Sequence, residues 1–196
     1  MARLFFAALF TAALLMTGCK DASSPGTASG AKPASAPVSV AAIAAEATGF
    51  TVGSAMSTRT VYVFFDAQCP HCSELWRNAK PLKSQAKFVW IPVGLLNAAS
   101  TAQGATLLAA KDPVALMDEH ETSMLSKRGG IGGGNGIDAQ KELVAKNTRL
   151  LNRFGFASIP TIVGTHAETG ALVSNEGAMS TTALAGLLGL QLPARP

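Results

Sequence analysis

Cysteine is scarce in this chain of 196 residues: Cys19 lies near the start, and Cys69 and Cys72 lie in the body. A Cys-x-x-Cys pair supplies half of a common type of zinc site, but the sequence has no second pair to complete it. The histidines outside that segment, His120 and His166, are distant in sequence and lack ligand spacing. The sequence therefore does not predict a metal centre.

Charged residues are also few, at 14% of the chain, and no run of Lys or Arg occurs. The net charge of +4 comes from scattered basic residues, which is typical of a solvated surface rather than of a nucleic-acid interface. Internal repeats are absent from the sequence. Because 48% of the residues are apolar, the chain can bury a sizeable core, and its length predicts one domain with appendages.

The apolar run near the N-terminus is shorter than a typical transmembrane helix of ~20 residues. It spans Leu4–Met16, follows Arg3 and ends in small residues, which predicts a secretory signal peptide over residues 1–18. The small residues before Cys19 resemble a bacterial lipobox and predict its lipidation, although Met16 stands where Leu, Val or Ile is usual. The alternative is ordinary cleavage nearby, which leaves Cys19 removed or free.

Residues 19–37 are mostly Ser, Ala, Gly, Thr and Pro, and they bury too little apolar surface to offset their ordering entropy. They predict a flexible tether, which a lipid on Cys19 would attach to a membrane. Residues 38–59 predict a lead-in helix followed by a turn or edge strand. Export predicts the periplasm, an oxidising compartment where disulfide chemistry is feasible. Lipidation of Cys19 would leave Cys69 and Cys72 as the one redox pair.

The body of the chain alternates between strand and helix patterns. Thr60–Phe65 is apolar on both faces and predicts a buried central strand. Pro70–Gln85 has apolar residues at helical spacing and predicts a helix kinked at Pro81. Lys87–Val93 predicts the next strand.

Residues 95–155 predict a helical insert, with helices that begin near Ala98, Pro113 and Asp138, the last capped by Asp138. A hairpin and a final helix follow; they are predicted at Thr161–Gly164, Leu172–Asn175 and Thr181–Leu188. The order of strand, helix, strand, helical insert, hairpin and helix predicts an α/β fold.

The glycine-rich segment Gly129–Gly136 has the composition of a phosphate-binding loop but not its pattern. It lacks the Gly-Lys-Ser/Thr ending, misses the Gly-x-Gly-x-x-Gly spacing and follows a helix rather than a strand. We interpret it as a mobile connector. Met117 and Met124 on the preceding helix are interpreted as core residues, as are Trp76 and Trp90.

The segment Cys69-Pro70-His71-Cys72 joins the first predicted strand to the helix that follows. Cys69 then lies at a helix N-terminus, where free N–H groups and the helix dipole lower a cysteine pKa from ~8.5 to roughly 3.5–7.5. His71, when charged, favours the thiolate further, and Pro70 suits the first helical turn. A stabilised thiolate makes the disulfide a better oxidant. The segment therefore indicates an oxidising redox centre.

Two other roles of the cysteine pair are less well supported. The zinc ligand set is incomplete, and a structural disulfide across so short a loop restrains the unfolded chain least.

Ile159-Pro160 precedes a predicted strand and suits a tight turn with a cis peptide bond. Together with the upstream cysteine segment, this dipeptide strengthens the redox interpretation.

The segment Phe64–Cys72 resembles the active-site segment of the DsbG/DsbC group of bacterial thiol:disulfide interchange proteins. Three further segments of this chain are similar to landmarks of DsbG-like catalytic domains: Ile91–Gly94, Ala109–Pro113 and Ile159–Thr161. The resemblance covers Thr60–Leu190 and implies a thioredoxin-like fold with a helical insertion.

The resemblance also implies roles for individual residues and partners. Cys69 would be the nucleophile, Cys72 the resolving thiol of a redox disulfide, and Pro160 a cis-proline facing it. Ile159, with Thr161 beside the proline, would bind an extended substrate segment through the backbone. The partners implied are cysteine-containing periplasmic proteins and a membrane redox partner, and no cofactor is implied.

Two departures from the group leave the direction of exchange open. Only residues 20–59 precede the catalytic fold, so the usual N-terminal dimerisation domain is expected to be absent and the protein to be a monomer. Pro70-His71 matches DsbA-type oxidases rather than the group itself. An oxidase, an isomerase, a sulfenic-acid reductase and, from another class, a metal-binding or adaptor lipoprotein therefore stay open.

Overall fold

The structure, a computed structural model, describes residues 35–192. They form a mixed five-stranded sheet with helices on both faces. The strands are β1 (Phe50–Gly53), β2 (Thr60–Asp66), β3 (Lys87–Val93), β4 (Thr161–Thr165) and β5 (Leu172–Glu176). The helices are α1 (Val40–Glu46), α2 (Pro70–Ala79), α3 (Ala98–Ala109), α4 (Pro113–Leu125), α5 (Asp138–Arg153) and α6 (Thr181–Leu188). The predicted α/β fold with helices inserted between β3 and β4 is confirmed.

Strand β2 lies at the centre of the sheet, whose order is β1-β3-β2-β4-β5. Its residues from Val61 to Asp66 are all buried, because helices cover both faces of the sheet. It pairs with β3 in parallel and with β4 antiparallel. In the parallel register Asp66 lies opposite Val93, so both strands end at one edge of the sheet. The chain enters the cysteine segment from that edge.

Apolar side chains fill both faces of the sheet. On one face Phe65, Trp76 and Trp90 join α2 and α6 in a single core cluster. Trp76 and Trp90 meet edge to face with their ring centroids 4.9 Å apart, an arrangement that adds to the free energy of burial. On the other face Phe64 packs with Leu151 of α5 and its neighbours. The prediction that both tryptophans are core residues is confirmed.

One predicted helix boundary and one predicted helix cap are wrong. The helix from Pro70 ends at Ala79 and is followed by a 3-10 turn, Lys80–Leu82, instead of continuing to Gln85. Pro81 lacks the N–H that a longer α-helix would need at that position. Asp138 is the first residue of α5 rather than its cap, because Ile137 occupies the capping position without a side-chain hydrogen bond. The other boundaries agree to within two residues.

Part of the N-terminal prediction lies outside the described residues. These are the signal peptide, Cys19 and the tether up to residue 34. The lead-in helix and edge strand are observed as α1 and β1. No helix within residues 35–192 is long and apolar enough to cross a membrane.

Asn147 of α5 joins three separate parts of the fold. Its side chain is fully buried. The amide nitrogen donates to the carbonyl oxygens of Thr48 at 2.8 Å and Pro92 at 3.0 Å, and the amide oxygen accepts from the Thr48 N–H at 2.9 Å. The lead-in segment and β3 are therefore both held to α5 by one side chain.

We expect Asn147→Ala to lower the free energy of unfolding by about 2–4 kcal/mol, because it leaves buried backbone groups without partners. Asn152→Ala is the matched control, since Asn152 lies on the same helix and is exposed. Urea unfolding monitored by circular dichroism measures both. Equal effects of the two substitutions would contradict the assignment.

Candidate active site

Cys69 occupies the capping position of α2, directly after the loop that leaves β2. Its carbonyl oxygen accepts the N–H groups of Cys72 at 3.0 Å and Ser73 at 3.2 Å, while its own N–H donates to the Asp66 carbonyl at 3.0 Å. Pro70 is the first helical residue, where the absent N–H would have had no partner in the helix. The predicted unit of strand, Cys-x-x-Cys and helix is confirmed.

The two cysteines have unequal surroundings. Both are free thiols, with Cys69 5% exposed and Cys72 1% exposed. Burial raises the pKa of Cys72 far above its ordinary value, and the hydrogen bond to Cys69 and the Cys69 charge raise it further. Cys72 therefore stays protonated at neutral pH and can donate its S–H.

The pKa of Cys69 is lowered to about 6. The largest cause is the hydrogen bond from the Cys72 thiol; burial opposes it, and the backbone N–H groups of Cys72 and His71 follow. The charge of His71 is the last contributor. The predicted direction of the shift is right, but the neighbouring thiol contributes more than the helix N-terminus or the imidazole.

His71 contacts solvent more than it contacts the thiols. Its side chain is 73% exposed, and Nδ1 lies 3.7 Å from Oε2 of Glu74 in the next turn of α2. An imidazole that faces water acts on Cys69 through a high dielectric, which weakens its charge. This exposure explains why His71 contributes so little to the Cys69 pKa.

The Ile159–Pro160 loop lies against the reactive cysteine. The Cys69 S–H is 3.7 Å from the Ile159 carbonyl oxygen, and the Ile159–Pro160 peptide bond is cis, as predicted. Thr161 is fully buried, and its hydroxyl donates to the Ser158 carbonyl at 2.6 Å. The structure thus brings the cysteine segment and residues 159–161 together, with the Thr161 side chain facing inward.

The solved structure of the catalytic domain of Proteus mirabilis ScsC has the same fold: the TM-score is 0.57 at 15% identity, over 76% of this chain and 96% of that one. The DsbG thiol:disulfide interchange protein of Pseudomonas aeruginosa is 34% identical over 143 residues, 70% of this chain. That of Escherichia coli is 30% identical over 104 residues, 52% of this chain. The chain is similar to DsbG over the matched residues and has a thioredoxin-like fold. No protein-family model matches it.

The match covers 54% of the Pseudomonas aeruginosa DsbG and 42% of the Escherichia coli DsbG. The chain therefore spans about half the length of the curated relatives it matches.

The Asp66 carboxylate holds the loop that leads from β2 to the cysteine segment. It is fully buried at the end of β2. One carboxylate oxygen accepts the N–H of Gln68 at 2.9 Å, and the other accepts those of Leu95 and Leu96 at 2.7 and 3.1 Å. A single carboxylate thus joins the loop before Cys69 to the loop after β3.

The first residues of the glycine-rich loop are attached to this site. Gln68 and Gln103 both donate to the Gly129 carbonyl, at 3.0 and 2.7 Å. Ring Nε2 of His120 donates to Ala67 O at 2.7 Å. Ring Nδ1 accepts the Ile131 N–H at 3.2 Å, so the ring is neutral; burial lowers its pKa. The interpretation of this segment as a mobile connector therefore does not fit its first residues, Gly129–Ile131, which are hydrogen-bonded to the site.

Glu121 is a buried carboxyl next to the cysteine helix. It is 5% exposed, and Oε2 has no hydrogen-bond partner among the described residues. Burial raises the pKa of Glu121 to about 7; the Ser73 hydroxyl and the Arg77 charge oppose that increase, and the charges of Cys69 and Asp118 add to it. Glu121 and Cys69 therefore titrate in overlapping pH ranges, and the charge of each opposes the charge of the other.

The sequence contained a signal for these buried polar groups. Met117, His120, Glu121 and Met124 are spaced i, i+3, i+4 and i+7 along α4, so they share one helix face. Met117 was predicted as core and is fully buried. Met124 was predicted as core too, but it is only half-buried and lines the pocket beside the cysteines. The two polar residues on the same face could have been predicted to be buried with Met117.

A pocket of about 620 Å³ opens beside the cysteine segment. It is lined by Pro70, His71, Ser73, Glu74, Arg77, Asn78, Met124 and Leu125. Within residues 35–192, no three His, Cys, Asp or Glu side chains are grouped so that they could hold a metal ion.

We expect the thiolate of Cys69 to titrate near pH 6, so the rate of thiol exchange should fall as the pH drops below that value. Cys72→Ala should raise the midpoint toward the ordinary ~8.5, because it removes the largest stabilising contact. His71→Gln, the matched control in the same turn, should shift it less. Thiolate absorbance at 240 nm measures both, and a larger shift in His71→Gln would contradict the order of causes.

Proposed function

We propose that the chain is an exported thiol:disulfide oxidoreductase that exchanges disulfides with cysteines of periplasmic proteins. The observation that carries the proposal is the pair of unlike thiols at the start of α2. Cys69 has a pKa of about 6 beside the Ile159–Pro160 loop, while Cys72 is buried and protonated beneath it. Only one of the two is then the nucleophile at neutral pH.

In the oxidising direction, a substrate thiolate attacks Sγ of Cys69 in the Cys69–Cys72 disulfide. A bond forms between the substrate sulfur and Cys69, the bond to Cys72 breaks, and Cys72 leaves as a thiolate that takes up a proton. A second substrate thiolate then attacks the substrate sulfur and releases the Cys69 thiolate. Two electrons pass from the substrate dithiol to the protein, and the reverse steps reduce a substrate disulfide.

The substrate is proposed to lie along the Ile159–Pro160 loop as an extended segment bound by backbone hydrogen bonds. Thr161 contributes through the shape of the loop, because its side chain is buried. Recycling of the cysteine pair is assigned to a membrane redox partner. A signal peptide over residues 1–18, lipidation of Cys19 and a monomeric state complete the proposal.

We expect Cys69→Ser to abolish thiol exchange, since the attacking atom is lost. Cys72→Ala should instead accumulate a mixed disulfide with substrate, because the resolving thiol is absent. Insulin reduction and the refolding of reduced ribonuclease measure activity, and non-reducing gels show the trapped species. Activity retained in Cys69→Ser would overturn the assignment of Cys69 as the nucleophile. Stoichiometric zinc or copper bound through the cysteine pair would instead favour a metal-binding or adaptor role.

The direction of exchange is the second point of the proposal. The stabilised Cys69 thiolate favours the reduced form and makes the disulfide an oxidant, while the relatives matched in sequence are named interchange proteins. We expect Cys69 and Cys72 to be mostly oxidised in growing cells. Their redox state is measured by quenching the cells with acid and then alkylating the free thiols. A mostly reduced pair would favour an isomerase or a sulfenic-acid reductase.

A further inference from the structure

The loop of residues 157–160 brings a backbone acceptor to the reactive cysteine. The Ile159 carbonyl oxygen lies 3.7 Å from Sγ of Cys69, and the Ile159 side chain packs against the apolar clusters on both faces of the sheet. The residues just before it, Ala157 and Ser158, are exposed. Packing therefore fixes one side of the loop, and polar contacts must fix the other.

One carboxylate oxygen makes those contacts. Oε2 of Glu176, the last residue of β5, accepts the N–H groups of Ala157 and Ser158, each at 2.8 Å, and lies 3.3 Å from the Ser158 hydroxyl. The backbone ahead of Ile159 is therefore bound to a strand of the sheet.

The sheet holds Glu176 itself in place. In the β4–β5 ladder Glu176 lies opposite Thr161, whose hydroxyl binds the Ser158 carbonyl from the inner side at 2.6 Å. The next residue, Gly177, donates its N–H to the Pro160 carbonyl at 2.7 Å. The loop is thus held between the hydroxyl on its inner side and the carboxylate on its outer side.

We propose that Glu176 is a positioning residue for thiol exchange with polypeptide substrates. It acts on the substrate through the loop: it fixes the 157–159 backbone, and that backbone presents its hydrogen-bonding groups beside Cys69. The proposal rests on the proposed exchange activity and adds to it the residue that sets affinity for an extended chain. A small disulfide without a backbone to dock does not need this loop.

The test compares substitutions that separate reach from charge. Glu176→Gln keeps the length and an acceptor oxygen but loses the charge. Glu176→Asp keeps the charge but is one methylene too short to reach both N–H groups, and Glu176→Ala removes the acceptor. Glu168→Ala is the control, because Glu168 is exposed in the turn between β4 and β5.

The reduced protein is mixed with a disulfide-containing peptide or with hydroxyethyl disulfide, and acid-quenched samples are analysed by mass spectrometry. We expect Glu176→Asp and Glu176→Ala to raise the half-saturation concentration for the peptide about ten-fold, the equivalent of ~1.4 kcal/mol. The maximal rate and the rate with hydroxyethyl disulfide should stay within about two-fold, as a positioning role implies. Glu176→Gln and Glu168→Ala should resemble the unmodified protein.

The proposal is overturned if Glu176→Asp binds the peptide as the unmodified protein does, or if the substitutions slow both disulfides equally. If Glu176→Ala does not fold, the comparison of Glu176→Asp with Glu176→Gln still decides. An unmodified protein that reacts with neither disulfide would overturn the proposed function itself, and this inference with it. Loss of peptide affinity confined to Glu176→Asp and Glu176→Ala would support both.

Discussion

Strand β2 is hydrogen-bonded on both sides, to β3 and to β4, and apolar side chains cover both of its faces. If this strand slipped by one residue relative to its neighbours, every one of its side chains would move to the opposite face of the sheet. Its end at Asp66 is therefore fixed, and Cys69 follows three residues later at the start of α2. The position of Cys69, the Asp66 contacts and the approach of the Ile159 loop all depend on this register.

The chemistry of the site arises from a difference between two residues that lie one helical turn apart. Burial keeps Cys72 protonated, and that proton stabilises the thiolate of Cys69. The helix N-terminus supports the same charge through backbone N–H groups. Because the interior of the fold supplies the main effect, exposed residues such as His71 can vary with less consequence for the thiol pKa than their place between the cysteines suggests.

The local features of the fold could be predicted from the sequence, and the distant contacts could not. The β2 pattern, the cysteine segment and the start of α4 at Pro113 are set by neighbouring residues. The contacts of Glu176 with Ala157 and Ser158 depend on a hairpin register that no local pattern specifies. His120 and Glu121 could have been assigned to a buried face, but not to the partners that they meet there.

The imidazole of His120 has both ring nitrogens engaged, one as donor to Ala67 and one as acceptor from Ile131. Gly130 packs closely against the same ring: a Cβ at Gly130 would lie 2.4 Å from the ring atom Cε1. Gly130 also has a φ of +88°. Positions 120 and 130 are therefore coupled: a larger residue at position 130 would require a smaller side chain at position 120. A substitution in the glycine-rich loop that moves this ring would thus also displace Ala67, which lies two positions before Cys69.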